Sequence, residues 1–327
     1  MSLHMRRLLP VISLAAAVLV APAAEAAPKG ASKGGAVEAV PKAVVKITHI
    51  GKLKDGRARI MSTVPVTGTV TPYVAGQRVE VSFYRDGKRI KRKRVALRKK
   101  RGSGVFRARI RLKVGGKYAA SARHAPTARL GGDRTVRKSW RVSYPALRRG
   151  KCGPVVIGFK KAMRRMGYIT NSGRCYGGKT ARGVLAYRKV NGMSRSFRSG
   201  KGLVRRVFSG RGRYRVRHPG AGTHVEAPLS RQVLVFAKGG RAVAIYPISS
   251  GTSATPTVTG HFRFHRTEPG YNNLGMYYSW YFYGGYAIHG YNSVPDYPAS
   301  HGCLRTFISD QPEIFERIQY GESIFVF

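Results

Sequence analysis

Between residues 106 and 113 the chain alternates without a break. Phe106, Ala108, Ile110 and Leu112 are apolar, and Arg107, Arg109, Arg111 and Lys113 between them are cationic. A period of two sends successive side chains to opposite faces of an extended strand, so this segment has one face for a core and one for solvent. The same reading extends to neighbouring segments. Residues 79–84 (VEVSFY) alternate and run into Arg85-Asp86-Gly87-Lys88, a hairpin turn, and residues 118–122 and 140–144 read as further strands. Short strands at this spacing over about a hundred residues predict an immunoglobulin-like sandwich over residues 44–145. The basic run 88–101 within it is read as a solvated hairpin or as a contact for a polyanion.

The charge balance bounds the partners. The 327 residues hold 61 Lys and Arg against 13 Asp and Glu, a formal net charge of +48, and 43% hydrophobic content supports folded cores. Such a surface belongs among anions. Nucleic acid is the usual first candidate for a basic protein, and the N-terminus argues against it. Arg6 and Arg7, the apolar run 8–20 and Ala24-Glu25-Ala26 read as a secretory signal peptide over residues 1–26. The competing reading, an uncleaved anchor, needs about 20 apolar residues and the run is shorter. Residues 27–43 are rich in Ala, Gly, Lys and Pro and read as a flexible linker.

Residues 146–215 change character. Val155, Phe159, Ala162, Met163 and Met166 form one helical stripe, and Thr180 is read as the N-cap of a second helix running to Val190. Ala181, Val184, Tyr187 and Met193 resemble the apolar spacing of small three-helix peptidoglycan-binding domains, and residues 159–168 resemble their first helix. The alternative is a helical hairpin that only packs against the C-terminal third of the chain. Cys152 and Cys175 lie here. In an exported chain they are expected to pair, closing a loop of about two dozen residues and contributing roughly 3 kcal/mol. That leaves Cys303 as the odd thiol.

Cys303 sits in Ser300-His301-Gly302-Cys303-Leu304-Arg305, with Ile288-His289-Gly290 upstream. Thiolate is the nucleophilic form of cysteine, and an imidazole can take its proton. Glycine beside the nucleophile lets backbone N–H groups reach a developing oxyanion. The arrangement therefore reads as acyl transfer through a thioester. These residues, together with Ser249-Ser250-Gly251-Thr252 and Thr255-Pro256-Thr257-Val258-Thr259-Gly260, resemble the signature of the YkuD-type L,D-transpeptidases, which cross-link bacterial peptidoglycan.

The resemblance spans residues 222–327 and implies a compact β-sandwich catalytic fold, so the whole chain is expected to be mainly β: an immunoglobulin-like sandwich, a small three-helix module and the catalytic domain. It implies Cys303 as nucleophile and His289 as base, with the Gly290 carbonyl fixing the imidazole tautomer. His301 orients the site or serves as the base instead. Gly302, with Cys303, offers oxyanion-hole N–H groups. Arg305 holds an anionic group of the substrate or stabilises the loop, and Ser300 shapes the loop. Trp280, Tyr281, Tyr283, Tyr286 and Tyr291 line a substrate cleft or fill a core.

No zinc-ligand spacing or phosphate loop is present, so no metal or cofactor is expected. The expected donor is a peptidoglycan stem peptide ending in a D-amino acid, and the acceptor an amine. Water as acceptor would make the enzyme an L,D-carboxypeptidase. A non-catalytic wall-binding protein is the alternative from another class. Anionic wall polymers are the expected partners of the basic surface, with no nucleic acid, in a monomer located in the periplasm or cell wall.

Overall fold

The computed structural model describes residues 39–327, so the signal-peptide reading and most of the linker lie outside the described residues. The first domain comprises β1 (Val44–Ile50), β2 (Arg57–Arg59), β3 (Thr63–Thr71), β4 (Arg78–Arg85), β5 (Lys88–Ala96), β6 (Arg98–Lys100), β7 (Ser103–Arg111), β8 (Lys117–His124), β9 (Asp133–Arg134) and β10 (Lys138–Ser143). They form two sheets, ordered β1-β3-β7-β6 and β2-β10-β8-β4-β5, with β9 beside β8. The apolar residues of the alternating run do face inward: Phe106, Ala108, Ile110 and Leu112 are buried with Val66, Val81, Phe83 and Trp140 in one core between the sheets. The intervening arginines of β7 are exposed. Asp86 and Gly87 form the β4–β5 turn, both at positive φ.

Three helices follow: α1 (Pro154–Arg164), α2 (Gly178–Val190) and α3 (Lys201–Phe208). Cys152 and Cys175 are joined by a disulfide that brackets α1 and the loop after it. The buried face of α1 is Val156, Phe159, Lys160 and Met163, with Val155 and Ala162 only half-buried. All five residues of the stripe pack on one core, Met166 just past the helix end, and Lys160 is buried beside them. Its ammonium is accepted there because it donates to the Ser172, Gly173 and Cys175 carbonyls at 2.9, 2.7 and 3.1 Å. Thr180 is not the N-cap of α2. The helix begins two residues earlier, and the buried Thr180 hydroxyl bonds the Asn171 side chain.

The C-terminal domain holds β11 (His224–Ala227), β12 (Val233–Lys238), β13 (Arg241–Pro247), β14 (Gly260–Arg263), β15 (Arg266–Tyr271), β16 (Tyr277–Tyr283), β17 (Tyr286–Tyr291), β18 (Leu304–Phe307), α4 (Gln311–Arg317) and β19 (Ser323–Val326). The sheets β13-β12-β11-β19-β14 and β15-β16-β17-β18 enclose one core that includes Leu234, Phe264, Ile288, Leu304 and Ile324. Strands β16 and β17 form a hairpin, and Gly284 at φ +45° makes the turn between them. A short turn, Leu229–Arg231, precedes β12, with Gln232 at φ +54° between them.

The helical module shares its core with the C-terminal domain. Val233, Val235 and Ile245 of β12 and β13 are buried together with Phe159, Val184, Tyr187 and Val204. Polar contacts reinforce the junction. Arg182 of α2 grips the buried Asp310 through two N–H groups at 2.5 and 2.6 Å, and Lys179 pairs with Glu313. Asp310 precedes α4, but its carboxylate makes no capping bond, because Arg182 takes both oxygens. Among the described residues no helix is long and apolar enough to cross a membrane.

Candidate active site

Strands β17 and β18 run parallel, with Ile288 opposite Leu304 and His289 opposite Arg305. Ile288 and Leu304 are fully buried in the core. Alternation therefore turns Ala287, His289, Cys303 and Arg305 to the opposite face of the sheet. This puts the thiol and the imidazole on one face of adjacent strands. Cys303 is half-buried against Met276, Tyr281 and Ala287, and its thiol points at the Gly285 carbonyl, 3.6 Å away. It is the free cysteine among the described residues.

His289 is 3% exposed, and its Nδ1 lies 3.0 Å from the Gly290 carbonyl oxygen. A carbonyl only accepts, so Nδ1 carries the proton and Nε2 holds the free lone pair. Burial lowers the imidazole pKa to about 4; the Gly290 bond opposes this and the Arg305 charge adds to it. Burial also raises the Cys303 thiol pKa, against a backbone hydrogen bond from Ala287 and the Arg305 charge. Both groups are thus neutral at rest.

The loop that presents Cys303 is fixed by its own side chains. The Ser300 hydroxyl donates to the Cys303 carbonyl at 2.6 Å and accepts from the Gly302 N–H at 3.1 Å. Thr257 donates to the Gly302 carbonyl at 2.7 Å, and Thr255 to the Ser300 carbonyl at 3.0 Å. The Thr-Pro-Thr segment recognised in the sequence is therefore the clamp on the thiol loop. Its residue-level contacts were not legible there. Gly302 has φ +113°, and a β-carbon on it would stand 2.6 Å from the Tyr286 ring. With the Gly302 N–H committed to Ser300, the Cys303 N–H is the donor left, with no side-chain or loop acceptor among the described residues.

Arg305 donates to the Ala299 carbonyl at 3.0 Å and lies 4.2 Å over the Tyr291 ring. Its backbone pairs both ways with Ser249, which follows Ile248, the residue whose carbonyl accepts Lys189 of α2 at 2.7 Å. The helical module thus touches the segment that braces the motif. His301 is exposed. The aromatic run divides. Trp280 and Tyr281 are buried core residues, with the Trp280 indole bonded to the Phe315 carbonyl and the Tyr281 hydroxyl to Glu268. Tyr286 and Tyr291 flank the motif, and Tyr283 is exposed. Among the described residues no group of three or more His, Cys, Asp or Glu side chains comes together as a metal site.

Residues 222–326 match the family profile of the YkuD L,D-transpeptidase catalytic domain. The crystal structure of an L,D-transpeptidase (residues 123–326) from Xylanimonas cellulosilytica is 28% identical, with a TM-score of 0.51, and the match covers 57% of this chain and 98% of that one. That coverage exceeds the profile match alone, so the likeness extends into residues that precede it. The catalytic domain of the E. faecium L,D-transpeptidase is 26% identical over 33% of this chain and 98% of its own, at a TM-score of 0.29. No curated protein matches the chain. The profile match spans both C-terminal sheets, including the one that carries the thiol and the imidazole, and residues 222–326 are a YkuD-type L,D-transpeptidase catalytic domain.

Proposed function

We propose that the protein is an exported peptidoglycan L,D-transpeptidase in which Cys303 attacks the stem-peptide donor. The observation that supports this reading is the shared face of β17 and β18, which carries both the thiol and a buried imidazole of fixed tautomer. With both groups neutral at rest, Nε2 of His289 takes the thiol proton as sulfur adds to the carbonyl carbon. The tetrahedral oxyanion is met by the Cys303 N–H. Its collapse breaks the amide bond, and the proton held by His289 passes to the departing D-amino acid. An amine of a second stem then attacks the thioester, His289 takes its proton, and the thiol is restored. Ser300, Gly302 and Arg305 position the loop, and Tyr286 and Tyr291 border the donor. The cationic surface keeps the enzyme on an anionic wall.

The experiment is mass spectrometry of products from disaccharide-tetrapeptide, with Cys303→Ala in parallel. A cross-linked dimer lacking one D-Ala, absent with Cys303→Ala, is the expected result. Tripeptide alone would replace transpeptidation by carboxypeptidase action. Unchanged substrate with both proteins, while the protein stays bound to wall, would favour the non-catalytic reading.

A further inference from the structure

The sandwich has an open side. β5 is the edge of one sheet, and β6 pairs only with Ser103–Val105, so from Phe106 onward β7 is an edge of the other. Between them lies a groove of about 820 Å³ whose walls carry Lys93, Arg94, Arg98, Arg107 and Arg109. Lys91 and Arg111 extend the same rows. Among the described residues the one carboxylate paired with this surface is Glu80, 3.4 Å from Arg92. Charged edge strands commonly serve to prevent sheet-to-sheet pairing. Strand β7 turns Arg107, Arg109 and Arg111 outward at alternate positions and β5 adds Lys91 and Lys93, more cations than that need requires.

Chemistry and spacing narrow the occupant. Alternate residues of a strand stand about 6.6 Å apart. Phosphates joined through a three-carbon polyol repeat at a similar interval, about 7 Å at ordinary bond lengths. Guanidinium groups chelate phosphate oxygens in pairs. Single-stranded nucleic acid is normally held by aromatic stacking as well as by charge. The groove offers none: Phe106 is 1% exposed, and the exposed aromatic side chains among the described residues all lie beyond residue 196.

We propose that the groove between β5 and β7 binds a linear, base-free polyol-phosphate polymer, one chain lying along the strands with its phosphates on alternate basic residues. The inference stands apart from the acyl-transfer reading, since binding is scored without turnover. The test is titration of the full chain with a fluorescent glycerol-phosphate oligomer of defined length, at several salt concentrations. Substituting Lys93→Ser, Arg94→Ser, Arg107→Ser and Arg109→Ser together is expected to weaken binding at least about tenfold and to flatten its salt dependence. The same removal of charge at Arg57, Arg59, Lys201 and Arg205 is expected to change it less than about threefold. Arg107→Lys with Arg109→Lys keeps the charge and guards against misfolding; it is expected to lose about threefold because ammonium does not chelate. Equal losses from both serine sets would overturn the site. Oligothymidylate of equal charge binding as tightly would replace the ligand by nucleic acid, and polyglutamate binding as tightly would remove the phosphate selectivity.

Discussion

His289 faces Arg305 directly across the parallel β17–β18 pair, and the guanidinium reinforces the burial that keeps the imidazole neutral. The same charge favours a thiolate at Cys303, so it lowers the pKa of both groups. At the imidazole burial and charge agree, and at the thiol burial outweighs the charge. The resting site is a thiol and an imidazole rather than an ion pair, and proton transfer is tied to attack on the donor.

This state makes the free thiol sluggish. Alkylation by iodoacetamide follows the thiolate. At pH 7 Cys303 should react more slowly than a free cysteine, and the rate should climb through pH 9 without a plateau near neutrality. A plateau between pH 6 and 7 would mean a resting ion pair. The labelling rate against pH, read by mass spectrometry of the intact chain, decides.

The imidazole also affects stability. Its folded pKa of about 4 lies below the ordinary 6.5, so between these values the unfolded chain holds a proton that the folded chain does not. Stability is complete above pH 6.5 and falls as pH drops towards 4, by on the order of 3 kcal/mol from this group. Urea unfolding of the native protein and His289→Gln should therefore diverge in that window, the native protein losing more stability on acidification.

Gly302 tests the loop rather than the chemistry. Alanine there meets both a positive φ of +113° and the Tyr286 ring at 2.6 Å. Gly302→Ala should lower turnover at least about a hundredfold while costing only about 1–3 kcal/mol of stability. Shortening the ring by Tyr286→Leu in the same protein removes the clash and leaves the φ strain, so recovery should be partial. Full recovery would show that the backbone conformation is unimportant.

How much of this was legible in the sequence depends on whether a residue's partners are local. Period-two alternation around Phe106 exposed the sandwich, since each side chain's face follows from its own strand. The cluster around Cys303 was legible because the motif is contiguous. Lys160 and Lys189 were not: each is a lysine in a helical face whose ammonium is accepted by carbonyls outside the helix, three in the loop after α1 for Lys160 and that of Ile248 for Lys189. Arg182 and Asp310 were missed for the same reason, being 128 residues apart in the chain. Trp280 and Tyr281 have the composition of a cleft, and only the sheet register places them in the core.

The Arg182–Asp310 pair should therefore carry much of the junction between the helices and the catalytic domain. Asp310 is 1% exposed. Arg182→Ala leaves a buried carboxylate without its partner and should cost about 3–5 kcal/mol, whereas Arg182→Ala with Asp310→Ala should cost less than that single change. Thermal unfolding of the four proteins in the cycle measures it. A double variant less stable than Arg182→Ala would mean that Asp310 acts through contacts other than this pair.

Lys189 gives the junction a pH dependence of its own. Burial lowers its pKa from 10.5 to about 7, with Arg195 adding to the shift and Asp296 opposing it. Above pH 7 the folded protein has released a proton that the unfolded chain keeps until about pH 10.5, so stability from this group rises across that interval, by on the order of 5 kcal/mol in all. Lys189→Met removes the titration. At pH 6 the methionine avoids the buried charge but leaves the Ile248 carbonyl without its donor, so the difference there should be small. At pH 9 the native protein should have gained on the variant by a clear margin in urea unfolding. A constant difference from pH 6 to pH 9 would mean that Lys189 keeps its proton throughout and that its bond to Ile248 is a charged one.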